Sequence, residues 1–200
     1  MNPVPPSAEH DADSSAFRAA LRRERLAARL AMTPADHSAL SDRLATHLAG
    51  LLDALPPQTL AFWAPVRGEF DATPLVGDLL AMGWKAAMPV VIASGAPMIF
   101  RAWTPTCAMS EDRHGIPIPG DGPAIDPDIV LLPLVVFDTA GYRLGYGGGY
   151  FDRTLAALAP RPLAVGVGFE INRIDSIRPE PHDQRLDWIV TENGAFTPAA

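Results

Sequence analysis

Leucines at 40, 44, 48 and 51–52 recur at spacings of three and four, which predicts an amphipathic helix over 34–53. Thr33 stands ahead of it as a cap, Pro34 occupies its first position, and Pro56-Pro57 stop it. An earlier helix is expected from Ser15, with Phe17, Leu21, Leu26 and Leu30 set between arginines and Ser14 or Ser15 as its cap. Residues 1–14 carry prolines and acids without periodicity and read as a disordered tail. The remaining 15–200 read as one domain.

Downstream the pattern shortens. Thr59–Ala64 reads as a buried strand, 73–82 as a helix ended by Gly83, and 86–92 and 98–103 as strands. A proline- and glycine-rich excursion over 104–128 precedes an apolar strand at 129–133. A short helix over 152–158 and strands at 163–169 and 188–190 complete the series. Apolar, weakly alternating strands separated by helices predict a single three-layer α/β domain, a mostly parallel sheet with helices on both faces. Ligands of such sheets bind beyond the carboxyl ends of the strands. Glu69, the glycines at 145–149 and the pair His182-Asp183 each follow a predicted strand, so they are expected to gather at one edge.

The chain has 200 residues and a formal charge of −7, which argues against general nucleic-acid binding. Every basic residue except Lys85 is arginine, a bias of composition more than a set of phosphate contacts. Cys107 is alone, so no disulfide framework or cysteine metal cluster is expected. Without a signal-peptide core or an apolar run of about eighteen residues, the expectation is a cytoplasmic protein with no membrane contact. No protein partner is implied.

The chemistry concentrates in Arg143-Leu144-Gly145-Tyr146-Gly147-Gly148-Gly149-Tyr150-Phe151-Asp152-Arg153. Glycines let consecutive N–H groups approach an anion, and a helix starting near Tyr150 adds its positive end. No Gly-Lys-Ser/Thr follows, so this is not a P-loop, and the sixth place of G-x-G-x-x-G lacks its glycine. A phosphate loop and a flexible structural turn both remain open. Arg18 and Arg22, four apart on one helix face, suit either a polyphosphate grip or a solvated basic face. Glu69 reads as a surface carboxylate paired with Arg67, and Trp63 as core. Asp152 and Asp183 read as caps, ion-pair partners or hard-metal ligands, and His182 as a structural or phosphate-binding group.

The run from Phe137 to Arg153 resembles the signature of the 5-formyltetrahydrofolate cyclo-ligase family, also called 5,10-methenyltetrahydrofolate synthetase. Three more segments resemble it in order: the basic helix around Arg18–Arg22, Phe62–Asp71 with Ala64, Arg67 and Glu69, and Glu180–Glu192 with His182-Asp183. The resemblance implies a single catalytic domain that uses ATP, with Mg²⁺ as cofactor, to convert 5-formyltetrahydrofolate into 5,10-methenyltetrahydrofolate, ADP and phosphate. It implies that Arg18, Arg22 and the loop from Arg143 to Phe151 contact ATP, and that Ala64, Glu69 and Tyr150 contact the folate. Asp152 and Asp183 would hold the metal, while Arg143 and Tyr150 would serve catalysis. Arg18 stands where lysine is usual, Phe151 replaces a tyrosine, and Gly148 stands where some members carry lysine. Two other classes remain: a sugar-phosphate isomerase or CoA-transferase-like enzyme with Glu69 as base, and a non-catalytic folate or nucleotide binder.

Overall fold

A computed structural model describes residues 8–113 and 115–199. Its first helix, α1, spans Ala8–Leu30. The helix therefore starts before the expected boundary at Ser15, and residues 8–14 are helical where a tail was expected; residues 1–7 lie outside the described residues. Ser14 and Ser15 sit inside the helix rather than capping it, and the Ser14 hydroxyl donates to Glu180 at 2.7 Å.

Helix α2, Pro34–Asp53, follows the leucine spacing. Thr33 caps it, its hydroxyl oxygen accepting from the Asp36 N–H at 3.1 Å. Leu44, Leu48 and Leu52 are wholly buried against the sheet. Each contributes roughly 1.5–3 kcal/mol by leaving water. Leu48→Ala would cost about 2–5 kcal/mol, because the cavity adds to the lost transfer term.

The main sheet has seven strands: β1 Thr59–Ala61, β2 Lys85–Val90, β3 Ile99–Trp103, β6 Ile129–Pro133, β9 Leu163–Val167, β11 Trp188–Thr191 and β12 Gly194–Phe196. Their order is β12-β11-β9-β6-β1-β2-β3. The five inner strands run parallel, and β12 and β3 close the edges antiparallel. Leu60, Met88, Leu131 and Val165 face α2 and helix α3, Thr73–Ala81, in one cluster. Ala61, Val130, Leu132 and Ile189 face helix α4, Tyr150–Ala157, through Leu155 in another. The expected three-layer α/β architecture is thus present.

Small elements hold what the apolar pattern left unassigned. The excursion contains a hairpin of β4, Met109–Glu111, and β5, Pro117–Pro119. A three-stranded sheet joins β7 Val136–Asp138, β8 Arg143–Leu144 and β10 Arg173–Ile174. Leu21 of α1 packs on this sheet with Val135, Val136, Leu144 and Ile177. That contact aims the arginine face of α1 at the glycine loop. From β1 the chain moves through α3 to β2 and β3, then returns to β6 on the other side of β1 and continues to β9 and β11. The strand order reverses between β1 and β6, where a ligand crevice opens in α/β sheets.

Candidate active site

A cleft of about 1030 Å³ lies at this reversal, beyond the carboxyl ends of β1, β2 and β6, with Ala64, Pro89 and Pro133 on its lining. Arg22, Glu69, the glycine loop, Asp152 and Asp183 border the same space, so the expected gathering at one edge is present.

The glycine loop turns through left-handed backbone at Gly147 (φ +100°) and Gly149 (φ +61°), the latter standing immediately before α4. Those angles favour glycine because a Cβ would be strained there. A Cβ on Gly148 would meet the Tyr150 ring at 2.8 Å, so a side chain at that position would require the ring or the loop to shift. Arg153 donates to the Gly148 carbonyl at 2.5 Å and holds the loop from behind. Leu144 is buried in the small core, so of this residue only the backbone can serve a ligand. Phe151 packs at the edge of the second core cluster, its ring centroid 6.0 Å from the Arg143 guanidinium carbon.

Arg22 donates to the Gly145 carbonyl at 2.8 Å, and its guanidinium carbon would lie 3.9 Å from a Cβ on Gly147. No carboxylate of the described residues pairs with it. Burial and the neighbouring Arg18 push its pKa below the usual arginine value, opposed by Asp183 and Glu180. It remains a cation, and an incoming anion would relieve its unbalanced charge.

Arg18 is differently placed. It donates twice to Asp183, at 2.8 and 3.0 Å, and pairs with Glu180 at 3.0 Å. Burial lowers its pKa, but the two carboxylates outweigh burial and hold it above the ordinary value. Arg18 and Asp183 therefore neutralise each other here. Asp183 also accepts from the Glu180 N–H at 2.7 Å. His182 is exposed, 3.6 Å from Glu180 and 3.8 Å from Asp183.

Arg143 is buried and donates to Asp152 at 3.1 Å and to the Gln184 carbonyl at 3.3 Å. Burial lowers its pKa, and Asp152 and Asp183 oppose that. The Gln184 N–H also reaches Asp152 at 3.0 Å. One short segment, 183–184, thus supplies one candidate carboxylate and fixes the other. Among the described residues no three His, Cys, Asp or Glu side chains converge on a metal position. Two carboxylates bordering one cleft are oxygen donors of the kind a hard ion takes, with its remaining ligands from phosphates and water.

Glu69 departs from its expected surroundings. It is buried, and it pairs with neither Arg67 nor solvent. Oε2 accepts from the Trp63 indole at 2.7 Å and the Val66 N–H at 3.0 Å, and Oε1 from the Tyr146 hydroxyl at 2.7 Å. A carboxylate has about four acceptor positions, so three are taken. One acceptor position of Glu69 is left for a further donor. The same contacts occupy Glu69, the carboxylate an isomerase reading would use as its base. Trp63 is core, as expected.

Arg29, passed over in the sequence, lies under this cluster. It donates to the Arg67 carbonyl at 3.1 Å, the Leu134 carbonyl at 3.2 Å and the Tyr146 hydroxyl at 2.8 Å, and lies 3.8 Å from Glu69. The signal was available: Arg29 is eleven residues beyond Arg18, about three turns of an α-helix, so both share a face. Tyr150, half-buried at the start of α4, receives a hydrogen bond at 3.1 Å from Arg113 of the β4–β5 hairpin. Its ring lies 5.1 Å from the Arg153 guanidinium carbon.

The model of the 5-formyltetrahydrofolate cyclo-ligase family matches residues 14–192, nearly the whole described chain. The chain belongs to that family. An Escherichia coli (strain K12) family member named 5-formyltetrahydrofolate cyclo-ligase is 29% identical over 170 residues, 82% of this chain and 93% of that protein. A protein of the same name from Mycoplasma pneumoniae is 26% identical over 177 residues, 86% of this chain and 97% of its own length. The solved Aquifex aeolicus 5,10-methenyltetrahydrofolate synthetase superposes with a TM-score of 0.80 at 26% identity, covering 92% of this chain and 94% of that one. The solved relative thus has the fold found here.

Proposed function

We propose that this chain converts 5-formyltetrahydrofolate and ATP into 5,10-methenyltetrahydrofolate, ADP and phosphate. One observation carries the reading beyond family membership: Arg22, without a carboxylate partner among the described residues, lies against a glycine loop that is joined at Tyr146 to Glu69. The proposed phosphate side and the proposed folate side thereby border one cleft.

The formyl oxygen is a poor leaving group. Its attack on the γ-phosphorus expels ADP and leaves an iminium phosphate on the folate. N10 of the same folate then attacks the formyl carbon and loses its proton, and phosphate departs with the former formyl oxygen. No protein nucleophile is needed, so the enzyme's task is alignment and charge stabilisation. Arg22 and Arg18 would hold ATP phosphates. Arg143 and the N–H groups from Gly147 to Gly149 would face the transferring group, where such donors act most strongly. Ala64, Glu69 and Tyr150 would border the folate. Asp152 and Asp183 would hold Mg²⁺, which supplies compensation of phosphate charge when bound. For this, Arg18 would exchange Asp183 for phosphate, a swap that conserves the charge balance at both ends.

The net charge of −7 accords with small-molecule substrates rather than nucleic acid. No described helix is long and apolar enough to cross a membrane, and a cytoplasmic setting accords with the proposed reaction. The test is absorbance in the methenylfolate band with purified protein, ATP, Mg²⁺ and 5-formyltetrahydrofolate. Growth of that band only when all components are present is the expected result. ATP-independent growth, or binding without turnover, would overturn the reading.

A further inference from the structure

In the main sheet β2 lies on one side of β1 and β6 on the other, while α1 packs on the small sheet that follows β6. The cleft wall away from α1 is therefore the loop that joins β2 to β3, with Val91, Ser94, Gly95 and Met98 on the lining. One side chain of α4 reaches this loop. The Thr154 hydroxyl accepts from the Met98 N–H at 2.9 Å and donates to the Tyr150 carbonyl at 2.7 Å. Met98 stands one residue outside the β2–β3 ladder, whose last pair is Val90 with Ile99. Its buried N–H finds its partner on a helix side chain instead of a strand.

Packing alone does not require this hydroxyl. Thr154 is almost wholly buried, valine would fill the same volume, and a buried hydroxyl is costly unless it is hydrogen-bonded. A threonine that bonds back to the carbonyl four residues earlier also gives little to the helix itself. Helix α4 has eight residues and no side-chain cap at Gly149, so its first turn depends on outside ties. Arg143 and the Gln184 N–H hold Asp152, at 3.1 and 3.0 Å. Thr154 holds the Tyr150 carbonyl and, through the same oxygen atom, the end of the β2–β3 loop. One oxygen thus joins two walls of the cleft.

We propose that Thr154 is a positioning residue that fixes the β2–β3 loop against the first turn of α4 and so sets the width of the cleft away from α1. Thr154 is not on the lining itself and acts through Met98 and Tyr150, which are. The inference rests on the proposed reaction only for the ligand at that end, the folate bordered by Tyr150. The phosphate end, at Arg18 and Arg22, is held by α1 and does not depend on this tie. Losing a buried hydrogen bond while one partner stays unsatisfied weakens a dependent equilibrium by about tenfold.

The test compares wild type with Thr154→Val, which keeps the shape and loses the hydroxyl, and with Thr154→Ser, which keeps the hydroxyl. KM is measured for 5-formyltetrahydrofolate and ATP separately, formylfolate binding by intrinsic tryptophan fluorescence, and amide hydrogen exchange over residues 91–98. Thr154→Val should raise the folate KM and weaken folate binding about tenfold, leave the ATP KM within about twofold, and speed exchange at Met98. Thr154→Ser should stay within about threefold of wild type in each. An unchanged folate KM in folded Thr154→Val, equal losses for folate and ATP, or a serine variant as impaired as the valine one would overturn the inference. If the valine variant does not fold, wild type decides: formylfolate should slow exchange at Met98 and ATP alone should not, and the reverse would overturn the inference. Wild-type protein that binds formylfolate without converting it would overturn the proposed reaction and leave this inference standing on binding and exchange.

Discussion

Arg18 and Asp183, 165 positions apart, are joined by two hydrogen bonds of 2.8 and 3.0 Å, each side chain almost wholly buried. One is the proposed phosphate contact and the other the proposed metal ligand. In the ligand-free chain each satisfies the other, so neither charge is left unpaired in a low-dielectric setting, which would cost several kcal/mol.

That pairing shapes the expectation for the two aspartates. Asp152→Asn and Asp183→Asn should each raise the Mg²⁺ concentration needed for turnover, and the double variant should be little worse than the poorer single one, as for groups acting as a unit. Asp183→Asn should in addition change the ATP KM, because it removes the charge facing Arg18. Titration of Mg²⁺ at fixed ATP checks this; multiplicative losses with unaltered Mg²⁺ dependence would remove the shared site.

Arg143→Ala should lower kcat by on the order of 10²–10³ with little change in folate binding, the usual size for a lost charge-stabilising donor. Because Arg143 also ties Asp152 to the Gln184 carbonyl, a modest fall in Tm should accompany it. Steady-state kinetics beside thermal unfolding separates the effects, and an intact kcat in the folded variant would sink the assignment.

Gly148→Val should abolish turnover while the core remains folded. Its Cβ would stand 2.8 Å from the Tyr150 ring, so that ring must move or the loop must open. Activity measured beside circular dichroism decides the matter; a folded, active variant would mean that loop and ring are remote from the ligands.

Glu180 carries the pH prediction. The Ser14 hydroxyl above all, then Arg18 and His182, outweigh burial and hold its carboxyl below the ordinary value of 4.5. A group depressed in the folded state stabilises above its unfolded value and loses that contribution as pH falls through the folded one. The Glu180 contribution should therefore be full at neutral pH, begin to fall near pH 4.5 and be gone once the pH is below the depressed folded value. Glu180→Gln should lower Tm slightly at pH 7 and converge with wild type in acid, the effect being small because the side chain is one-third exposed. A Tm difference that persists unchanged at acid pH would refute it.

What the sequence alone determined is whatever short-range patterning specifies. Leucine spacing defined α2, apolar runs defined the inner strands, and four glycines in five positions marked a backbone that must turn tightly and approach a ligand. The four ordered resemblances added the family. Short strands escaped, since two or three residues in β8, β10 or β12 carry no period to read. The start of α1 escaped as well, because acids and serines alone do not reveal a helix.

Only the tertiary structure decided who neutralises whom. Arg18, Arg22 and Arg29 look alike on one helix face, yet one pairs with Asp183, one lies against the glycine loop and one anchors Tyr146 beside Glu69. Those roles depend on how α1 seats on the small sheet and where the strand order reverses. Charges act over a few ångströms in space whatever their separation along the chain, so their partners are fixed by packing rather than by spacing.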